Sequence, residues 1–220
     1  MGNPRDETRR LAEEYAGNGN PDGWFEEFYA RAGGDIDKVY WADLEPGPHL
    51  VAHLKQFPAP DGGRATTIGC GLGDDAEALA RGGFDVIAFD ISPAAIDMCR
   101  KRFPESPVNY RVADLFNLPP EWTRFFDLVY ECNTIQILTG ENRVNALNAM
   151  VDLVKPGGVI LVSCRSRNHG ESLDAWPLAL DREEIDGFKR AGLKELHFEA
   201  YDDHQDPPVP HFFAVYQRNP

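Results

Sequence analysis

The stretch Thr66-Thr67-Ile68-Gly69-Cys70-Gly71-Leu72-Gly73-Asp74-Asp75 decides the fold of this chain. It follows a predicted strand and opens a predicted helix, and its alternating glycines let a ligand approach the backbone closely. The dinucleotide pattern G-x-G-x-x-G requires glycine at position 74, where this chain has aspartate. Asp74 and Asp75 would place two negative charges at the helix N-terminus, where they repel a pyrophosphate. A cofactor with a positive centre and no phosphate near this loop fits better.

A second signal lies one predicted strand further along the chain. The run Phe84-Asp85-Val86-Ile87-Ala88-Phe89-Asp90 is mostly apolar and ends in an acid, 90 − 69 = 21 positions after Gly69. An acid at this spacing is placed to accept hydrogen bonds from both hydroxyls of an adenosine ribose. The glycine loop and Asp90 together therefore predict a nucleoside-containing cofactor. An ordinary strand-to-helix turn with an exposed aspartate is the alternative.

Predicted strands alternate with predicted helices from residue 64 onward. The strands are Arg64–Ile68, Phe84–Phe89, Val108–Val112, Phe126–Tyr130 and Val159–Ser163. The helices are Asp75–Arg81, Pro93–Phe103, Glu141–Leu153 and Arg182–Ala191, the last preceded by a capping-box pattern that starts at Asp181. This alternation predicts an α/β, Rossmann-like fold with a mostly parallel sheet and helices on both faces. Two extended runs, Leu193–Tyr201 and Phe212–Gln217, have no helix between them and predict an antiparallel C-terminal strand.

The first 60 residues differ in character from the rest. Their predicted helices are Asp6–Tyr15, Trp24–Ala32 and His49–Phe57, with a linker over 17–23 that is rich in glycine and asparagine. We interpret residues 1–60 as a helical cap over the cofactor site and residues 61–220 as the cofactor-binding domain. The two parts are expected to form a single domain overall.

Composition limits the classes of partner. The 220 residues carry 22 basic and 36 acidic side chains, a net charge of −14, which disfavours nucleic acids and anionic membranes. No stretch is long and apolar enough to span a bilayer, and the N-terminus lacks the apolar core of a signal peptide. The four cysteines form no C-x-x-C pair, so we expect reduced thiols, no metal site and a cytoplasmic location.

The chain resembles the class I methyltransferases that use S-adenosylmethionine (SAM). The resemblance covers roughly residues 60–220 and is closest to the thiopurine S-methyltransferase and tellurite-resistance group. It rests on these segments: Gly69–Gly73, Ala88–Ser92, Val112–Leu115, Phe126–Glu131, Leu153–Gly158 and Trp176–Leu178. It implies the class I methyltransferase sheet, SAM as the cofactor and a methyl acceptor as the second substrate.

The resemblance also implies roles for matched positions. Gly69, Cys70 and Gly71 would line the methionine part of SAM, and Trp24 is assigned to the same cofactor site. Asp90 would hold the ribose, Ile91 would pack on the adenine, and Asp114 would accept a hydrogen bond from the adenine amino group, flanked by Ala113 and Leu115. The backbone carbonyl of Glu131 would face the ammonium group of SAM. Many relatives carry an acid two residues before the first glycine, where this chain has Thr67, so Asp74 or Glu131 would have to supply that contact.

The reaction itself makes limited demands on the protein. Methyl transfer from a sulfonium is a direct displacement, so the protein mainly aligns the reactants and excludes water. A thiol is partly ionised near neutral pH, whereas a phenol or an amine more often needs a general base. Five side chains are candidate bases: Glu131, His169, Asp203, His204 and His211. We assign Glu131, His169 and His204 as the catalytic candidates, although none has a recognisable triad spacing.

Aromatic and basic residues supply the predicted acceptor site. Arg165, which follows the fifth strand with Arg167 close behind, is placed to hold an anionic group of the acceptor. Tyr29, Trp41 and Trp176 are predicted to wall an apolar pocket. A solvated loop charge is the alternative for the arginine, and ordinary packing of the cap is the alternative for the aromatic side chains.

These observations favour a SAM-dependent methyltransferase that acts on a small-molecule acceptor, with a thiol or other soft nucleophile as the first hypothesis. A small-metabolite O- or N-methyltransferase is the nearest alternative. A SAM-binding protein without catalysis and a nicotinamide-dependent oxidoreductase are the other two. We expect a monomer or weak homodimer that binds neither nucleic acid nor membranes.

Overall fold

A computed structural model describes residues 3–20, 22–172 and 176–220 of the chain. Residues 1, 2, 21 and 173–175 lie outside the described residues. Residues 1 and 2 begin the sequence, and residue 21 belongs to the predicted linker over 17–23. The strands are β1 (Arg64–Ile68), β2 (Asp85–Asp90), β3 (Asn109–Val112), β4 (Phe126–Cys132), β5 (Val154–Arg165), β6 (Leu193–Asp202) and β7 (Pro210–Arg218). The α-helices are α1 (Pro4–Gly17), α2 (Gly23–Ala32), α3 (Pro48–Gln56), α4 (Asp74–Arg81), α5 (Pro93–Arg102), α6 (Gly140–Leu153), α7 (Arg182–Ile185) and α8 (Gly187–Arg190).

All the named strands form one sheet in the order β3-β2-β1-β4-β5-β7-β6. Strands β1 to β5 pair in parallel, whereas β7 is antiparallel to both of its neighbours, β5 and β6. The prediction of a mostly parallel sheet with an antiparallel C-terminal strand is therefore confirmed. The strand order reverses between β1 and β4, where Ile68 pairs with Glu131, and ligands of open α/β sheets bind beside the carboxyl ends of such strands.

Apolar side chains fill both faces of the sheet. On one face, Phe126, Val129 and Ile160 of the central strands pack with residues of α6 to α8, such as Met150 and Phe188. The other face buries a second set of side chains against α3, α4 and α5: Leu50, Leu79, Ile96, Val86, Leu128 and Leu161. Because each face is covered, the middle of β2 and of β5 consists of continuous apolar runs, Val86–Phe89 and Val159–Val162.

The predicted helix over Arg182–Ala191 is wrong in one respect, because the structure divides it into α7 and α8. The division falls at Asp186, just before Gly187. A Cβ atom on Gly187 would lie 2.6 Å from Cδ1 of Leu147, so α6 approaches this position closely. The capping box is confirmed: Asp181 accepts a hydrogen bond from the Glu184 N–H, and the Glu184 carboxylate accepts one from the Asp181 N–H.

The three N-terminal helices α1 to α3 occur where the sequence predicts them, with ends shifted by at most two residues. Helix α1 starts at Pro4, and Asn3 caps it by accepting a hydrogen bond from the Arg5 N–H. Helix α2 packs on α1 and on α5, which brings it to the edge of the sheet where β1 and β2 end. Among the described residues, none of the helices has the length and apolar character needed to cross a membrane.

Candidate functional site

The glycine loop between β1 and α4 requires glycine for two separate reasons. Gly69, Gly71 and Gly73 have φ angles of +57°, +53° and +90°, which side chains disfavour. A Cβ atom on Gly69 would also lie 2.5 Å from the hydroxyl oxygen of Thr134, just after β4. The loop therefore passes directly across the switch point of the sheet.

Asp90 lies at the end of β2, and its carboxylate points to the glycine loop. It is 6% exposed, and its Oδ2 accepts a hydrogen bond from the Gly71 N–H at 3.0 Å, while Oδ1 accepts one from the Ser92 N–H at 2.9 Å. Burial raises the pKa of Asp90 to about 6, against the lowering effect of these backbone donors. Each carboxylate oxygen has two acceptor positions, so both oxygens can still accept a hydroxyl of a bound ribose.

The predicted adenine-binding positions lie at the ends of β2 and β3. Ile91 follows Asp90 directly and is half-buried, and Ala113 and Leu115 are half-buried beside the larger core. Oδ1 of Asp114 accepts a hydrogen bond from the Phe116 N–H at 2.9 Å, so this aspartate stabilises its own turn. One carboxylate oxygen therefore serves the local structure, and the second is available to a ligand.

Glu131 is the only acid in the described residues with an unpartnered buried oxygen at the switch point. Its side chain is fully buried, and its Oε1 accepts hydrogen bonds from the N–H groups of Thr134 and Ile135 at 2.7 and 2.9 Å. Its Oε2 has no hydrogen-bond partner among the residues that the structure describes. Burial raises the pKa of Glu131 to about 7, so its carboxyl changes charge near neutral pH. A free buried oxygen of this kind fits a cationic group of a ligand.

Asp74 differs from expectation, because its charge is already neutralised. Its carboxylate pairs with the guanidinium of Arg102 at 2.7 and 3.0 Å, so both of its oxygens already have a cationic partner. Asp75 instead accepts a hydrogen bond from the Gly47 N–H at 2.8 Å, and burial raises its pKa to about 6. Of the two acids considered as replacements, Glu131 is the one with a free oxygen.

Glu26 connects helix α2 to the segment that follows β2, next to the predicted ribose acid Asp90. Its Oε2 accepts hydrogen bonds from the Ser92 hydroxyl at 2.7 Å and from the Ala94 N–H at 3.0 Å. Ser92 in turn donates its backbone N–H to Asp90. This chain of contacts links the N-terminal helices to the predicted ribose acid, and α5 begins at the residue that follows Ser92.

We expect Glu26→Gln to loosen this attachment. The substitution removes the charge from two hydrogen bonds, each worth about 1.5–3 kcal/mol when charge-assisted. Hydrogen exchange of the α2 amides should accelerate by roughly tenfold, while the amides of the β4 core stay protected. Glu27→Gln is the matched control, because Glu27 makes an exposed pair with Arg31 on the same helix. Equal exchange in the Glu26 variant and the wild type would contradict the assignment.

The predicted aromatic residues divide into two groups. Tyr29 is 4% exposed and accepts a hydrogen bond from Trp41 Nε1 at 3.3 Å; a Cβ atom on Gly71 would lie 3.3 Å from its hydroxyl. Tyr29, predicted to bind substrate, therefore lies against the cofactor loop. Trp24, predicted to bind cofactor, packs instead against Trp176, with ring centroids 5.9 Å apart.

Trp24 and Trp176 line a cavity of about 780 Å³. The cavity lies between α1, α2 and the segment that leads from β4 into α6. Its apolar walls include Phe25, Ile137 and Leu178, and Asp22 lies at its border. The glycine loop and Asp90 do not line it. The structure thus separates Trp24 from the other predicted cofactor residues.

The remaining predicted site residues lie at or after the end of β5 or in the loop between β6 and β7, and they differ in exposure. The Arg165 side chain is half-buried and makes no hydrogen bond or ion pair with the described residues, whereas Arg167 is paired with Asp181 and Glu184. The side chain of His169 is 76% exposed and contacts Asp181. His204 is exposed in the loop between β6 and β7. Arg167 is therefore committed to the protein, and Arg165 is the arginine open to a ligand.

Glu26 and Arg102 take part in the site without a sequence signal of their own. The partners of Glu26 are 66 and 68 residues away, and Arg102 reaches Asp74 across 28 residues. Neither spacing corresponds to a local motif. Only the packing of α2 and α5 on the sheet brings these groups together.

Comparisons with known proteins agree with this geometry. Residues 66–158 match the family model described as a methyltransferase domain. The chain is 30% identical over 147 residues to the cypemycin N-terminal methyltransferase of a Streptomyces species, covering 63% of this chain and 59% of the relative. It is 29% identical over 161 residues to probable thiol methyltransferase 2 of Arabidopsis thaliana, covering 71% and 66%. It is 32% identical to a ubiquinone biosynthesis O-methyltransferase of Xanthomonas axonopodis, covering 54% and 50%.

The chain therefore spans between half and two thirds of the length of these curated relatives. Among solved structures, phosphoethanolamine N-methyltransferase 2 of Haemonchus contortus, in complex with SAM, aligns with a TM-score of 0.68 at 18% identity, covering 89% of this chain and 60% of that one. A TehB-like SAM-dependent methyltransferase of Corynebacterium glutamicum aligns with a TM-score of 0.63 at 21% identity, covering 89% and 98%. Residues 66–158 therefore contain a methyltransferase domain, and the chain has the fold of SAM-dependent methyltransferases of known structure.

Proposed function

We propose that this protein transfers the methyl group of SAM to a small-molecule acceptor, and that a thiol or another soft nucleophile is the acceptor atom. The observation that carries the proposal is the position of Asp90, whose buried carboxylate is oriented by Gly71 and Ser92 and keeps free acceptor positions. When bound, SAM supplies an activated methyl group. The role of the chain is then to hold the nucleoside, orient the acceptor and exclude water.

The acceptor atom is the least constrained part of the proposal. The similarity to the thiol methyltransferase of Arabidopsis thaliana extends over more of this chain than that to the O-methyltransferase, 71% against 54%. A thiol also needs the least assistance from a base at neutral pH. An O- or N-methyltransferase remains the second candidate, because an O-methyltransferase and an N-terminal methyltransferase are also among the relatives. The narrower resemblance to the thiopurine and tellurite-resistance group stays a prediction.

The first experiment is calorimetric titration of the purified chain with S-adenosylhomocysteine (SAH), with NADH as the control. We expect SAH to bind and NADH not to bind. Incubation with labelled SAM and equal panels of thiols, phenols and amines then identifies the acceptor. Binding of NADH alone would favour an oxidoreductase. Tight SAH binding without turnover of any acceptor would favour a SAM-binding protein that lacks catalysis.

We propose a cytoplasmic monomer or weak homodimer that binds neither nucleic acid nor membranes. The net charge of −14 and the free state of all four cysteines support this interpretation. Within the described residues, no group of three or more His, Cys, Asp and Glu side chains is arranged to hold a metal ion. Size-exclusion chromatography with light scattering tests the oligomeric state.

Arg165 is proposed to hold an anionic group of the acceptor. Burial lowers the pKa of its guanidinium, because the positive charge is partly removed from water. An anionic partner would stabilise this charge. For a thiol that carries a carboxylate, Arg165→Gln should raise KM by about tenfold, since a hydrogen bond to a charged group is worth about 1.5–3 kcal/mol. KM for the neutral methyl ester should not change. Arg111→Gln, on the exposed end of β3, is the control. Equal effects on the acid and the ester would exclude this role.

A further inference from the structure

The antiparallel direction of β7 brings a histidine to the edge of the sheet where the parallel strands end. His211 is the second residue of β7 and pairs with Arg165, the last residue of β5. On its other side it pairs with Tyr201 near the end of β6. Directly opposed residues on antiparallel strands have Cβ atoms about 4.5–5.5 Å apart. His211 therefore lies beside the arginine proposed to hold the acceptor.

The hydrogen bond of His211 fixes its tautomer. Its Nδ1 lies 2.8 Å from the backbone carbonyl oxygen of Val209. A carbonyl oxygen accepts only, so Nδ1 carries the proton, and in the neutral ring Nε2 is then an acceptor. The residue is 8% exposed, and this burial lowers the pKa of the imidazole. His211 is consequently neutral at pH 7, with its basic nitrogen unprotonated.

Charged groups from three directions face this imidazole. Asp203, in the loop between β6 and β7, lies 3.8 Å from Nδ1. Asp43, from the N-terminal segment, raises the pKa of this imidazole, and Arg165, from β5, lowers it. The ring of Tyr201 stacks on the imidazole with ring centroids 5.5 Å apart. The ring of His49 packs against Tyr201 with ring centroids 4.3 Å apart. The orientation of the imidazole is thus set by a hydrogen bond, an aromatic neighbour and a nearby carboxylate.

The other candidate bases are less suitable. The side chain of His169 is 76% exposed, and His204 lies exposed in the β6–β7 loop. Glu131 is fully buried at the switch point, where its free oxygen fits a cationic group of the cofactor and not the acceptor. His211 combines a fixed tautomer, a tenth of its side-chain surface open to solvent and the neighbouring Arg165.

We propose that His211 is the general base of this methyltransferase, and that its Nε2 removes the proton from the acceptor thiol. The proposal rests on the proposed function. In the step, the S–H proton passes to Nε2, and the sulfur electron pair of the acceptor forms the bond to the methyl carbon. The bond from that carbon to the sulfonium of SAM breaks, and its electrons stay on the departing sulfur. The products are a methyl thioether, SAH and a protonated His211, which then loses its proton to solvent.

The test uses His211→Asn, because the asparagine amide N–H can still donate to the Val209 carbonyl while Nε2 is absent. His197→Asn is the control, since that histidine is half-exposed on β6 and contacts Glu199. Two acceptors are compared: an alkyl thiol, which is protonated at pH 7, and an aromatic thiol, which is ionised. Thermal unfolding and SAH affinity of each variant establish that the fold and the cofactor site are intact.

For the alkyl thiol we expect His211→Asn to lower kcat/KM by about 10²-fold or more, and for the aromatic thiol by less than about threefold. The pH profile distinguishes a base from a structural role. In the wild type, kcat/KM for the alkyl thiol should level off above the pKa of His211. In the variant it should rise tenfold per pH unit up to the pKa of the thiol itself, because only thiolate formed in solution reacts.

Three results would contradict either the role of His211 or the function on which it rests. Imidazole nitrogen shifts of His211 in the ligand-free chain should show Nδ1 protonated, and the opposite tautomer would overturn the proposal. Equal losses with the two thiols would also overturn it, because they indicate a structural effect. If the wild type binds SAH but methylates neither thiol nor any phenol or amine, the proposed function fails before the role of His211 is tested.

Discussion

Asp90→Ala is expected to weaken SAH binding by about 1–3 kcal/mol, which corresponds to a roughly 5- to 150-fold higher Kd. The substitution removes the acceptors proposed for the ribose hydroxyls and leaves the N–H groups of Gly71 and Ser92 without their partner. The glycine loop thus loses a contact that orients it, in addition to the contact with the ligand. Calorimetric titration with SAH measures the change directly.

The ionisation of Asp90 adds a pH dependence to this prediction. Its pKa in the ligand-free chain is raised to about 6 by burial, and hydroxyl donors of a ribose favour the ionised form. Binding therefore releases a proton below pH 6, and SAH affinity should fall toward acid pH by up to about tenfold per unit. The Asp90→Ala variant should lose this dependence on pH.

Asp85→Ala is the matched control, because Asp85 is exposed at the opposite end of the same strand. We expect its affinity for SAH to equal that of the wild type at every pH. An unchanged affinity in Asp90→Ala would mean that the ribose is held elsewhere. A weakened affinity that keeps the full pH dependence would assign the titration to another carboxyl group, of which Glu131 is the nearest in properties.

Arg143→Met is expected to lower the free energy of unfolding by about 3–5 kcal/mol, because it removes a buried guanidinium that pairs with Glu184 and donates charge-assisted hydrogen bonds to two backbone carbonyls. The side chain of Arg143 is 5% exposed and pairs with Glu184. It also donates hydrogen bonds to the backbone carbonyls of Leu138 and Leu178, both at 2.6 Å. One residue of α6 therefore holds two segments that border the large cavity and also the start of α7.

Urea denaturation at constant m-value measures the loss. Arg111→Met is the control, since Arg111 is exposed on β3 and its replacement should change stability by less than about 0.5 kcal/mol. The double variant Arg143→Met/Glu184→Gln should lose more stability than the single variant, because Glu184 also pairs with Arg167 and accepts a hydrogen bond from the Asp181 N–H. A loss below about 1 kcal/mol in the single variant would show that water replaces the guanidinium.

The sequence predicts the fold well because its signals are local. The strand–helix alternation, the caps at Ser92 and Asp181, and the spacing from Gly69 to Asp90 each involve a single element or two consecutive strands. The mostly parallel sheet and its antiparallel C-terminal strand follow from them. The placement of Asp90 against the glycine loop is also local, since it depends only on two consecutive strands.

The contacts that complete the candidate site could not be predicted in this way. Glu26 accepts a hydrogen bond from Ser92 only because α2 packs on α5. Arg167 is not free for a ligand because it forms ion pairs with Asp181 and Glu184. The tautomer of His211 depends on a single carbonyl two residues earlier, which no pattern of residue types reveals. The contacts of Asp90 are therefore easier to predict from the sequence than those of Arg165 and His211.

The position of β7 between β5 and β6 has a consequence for the order in which the chain folds. Strand β6 precedes β7 in the sequence, yet its hydrogen-bonding partner in the sheet is β7. During synthesis, β6 therefore leaves the ribosome before the strand it needs, and the outer edge of β5 stays open for the same interval. Arg165, Tyr201 and His211 come together only once β7 has paired with both β5 and β6.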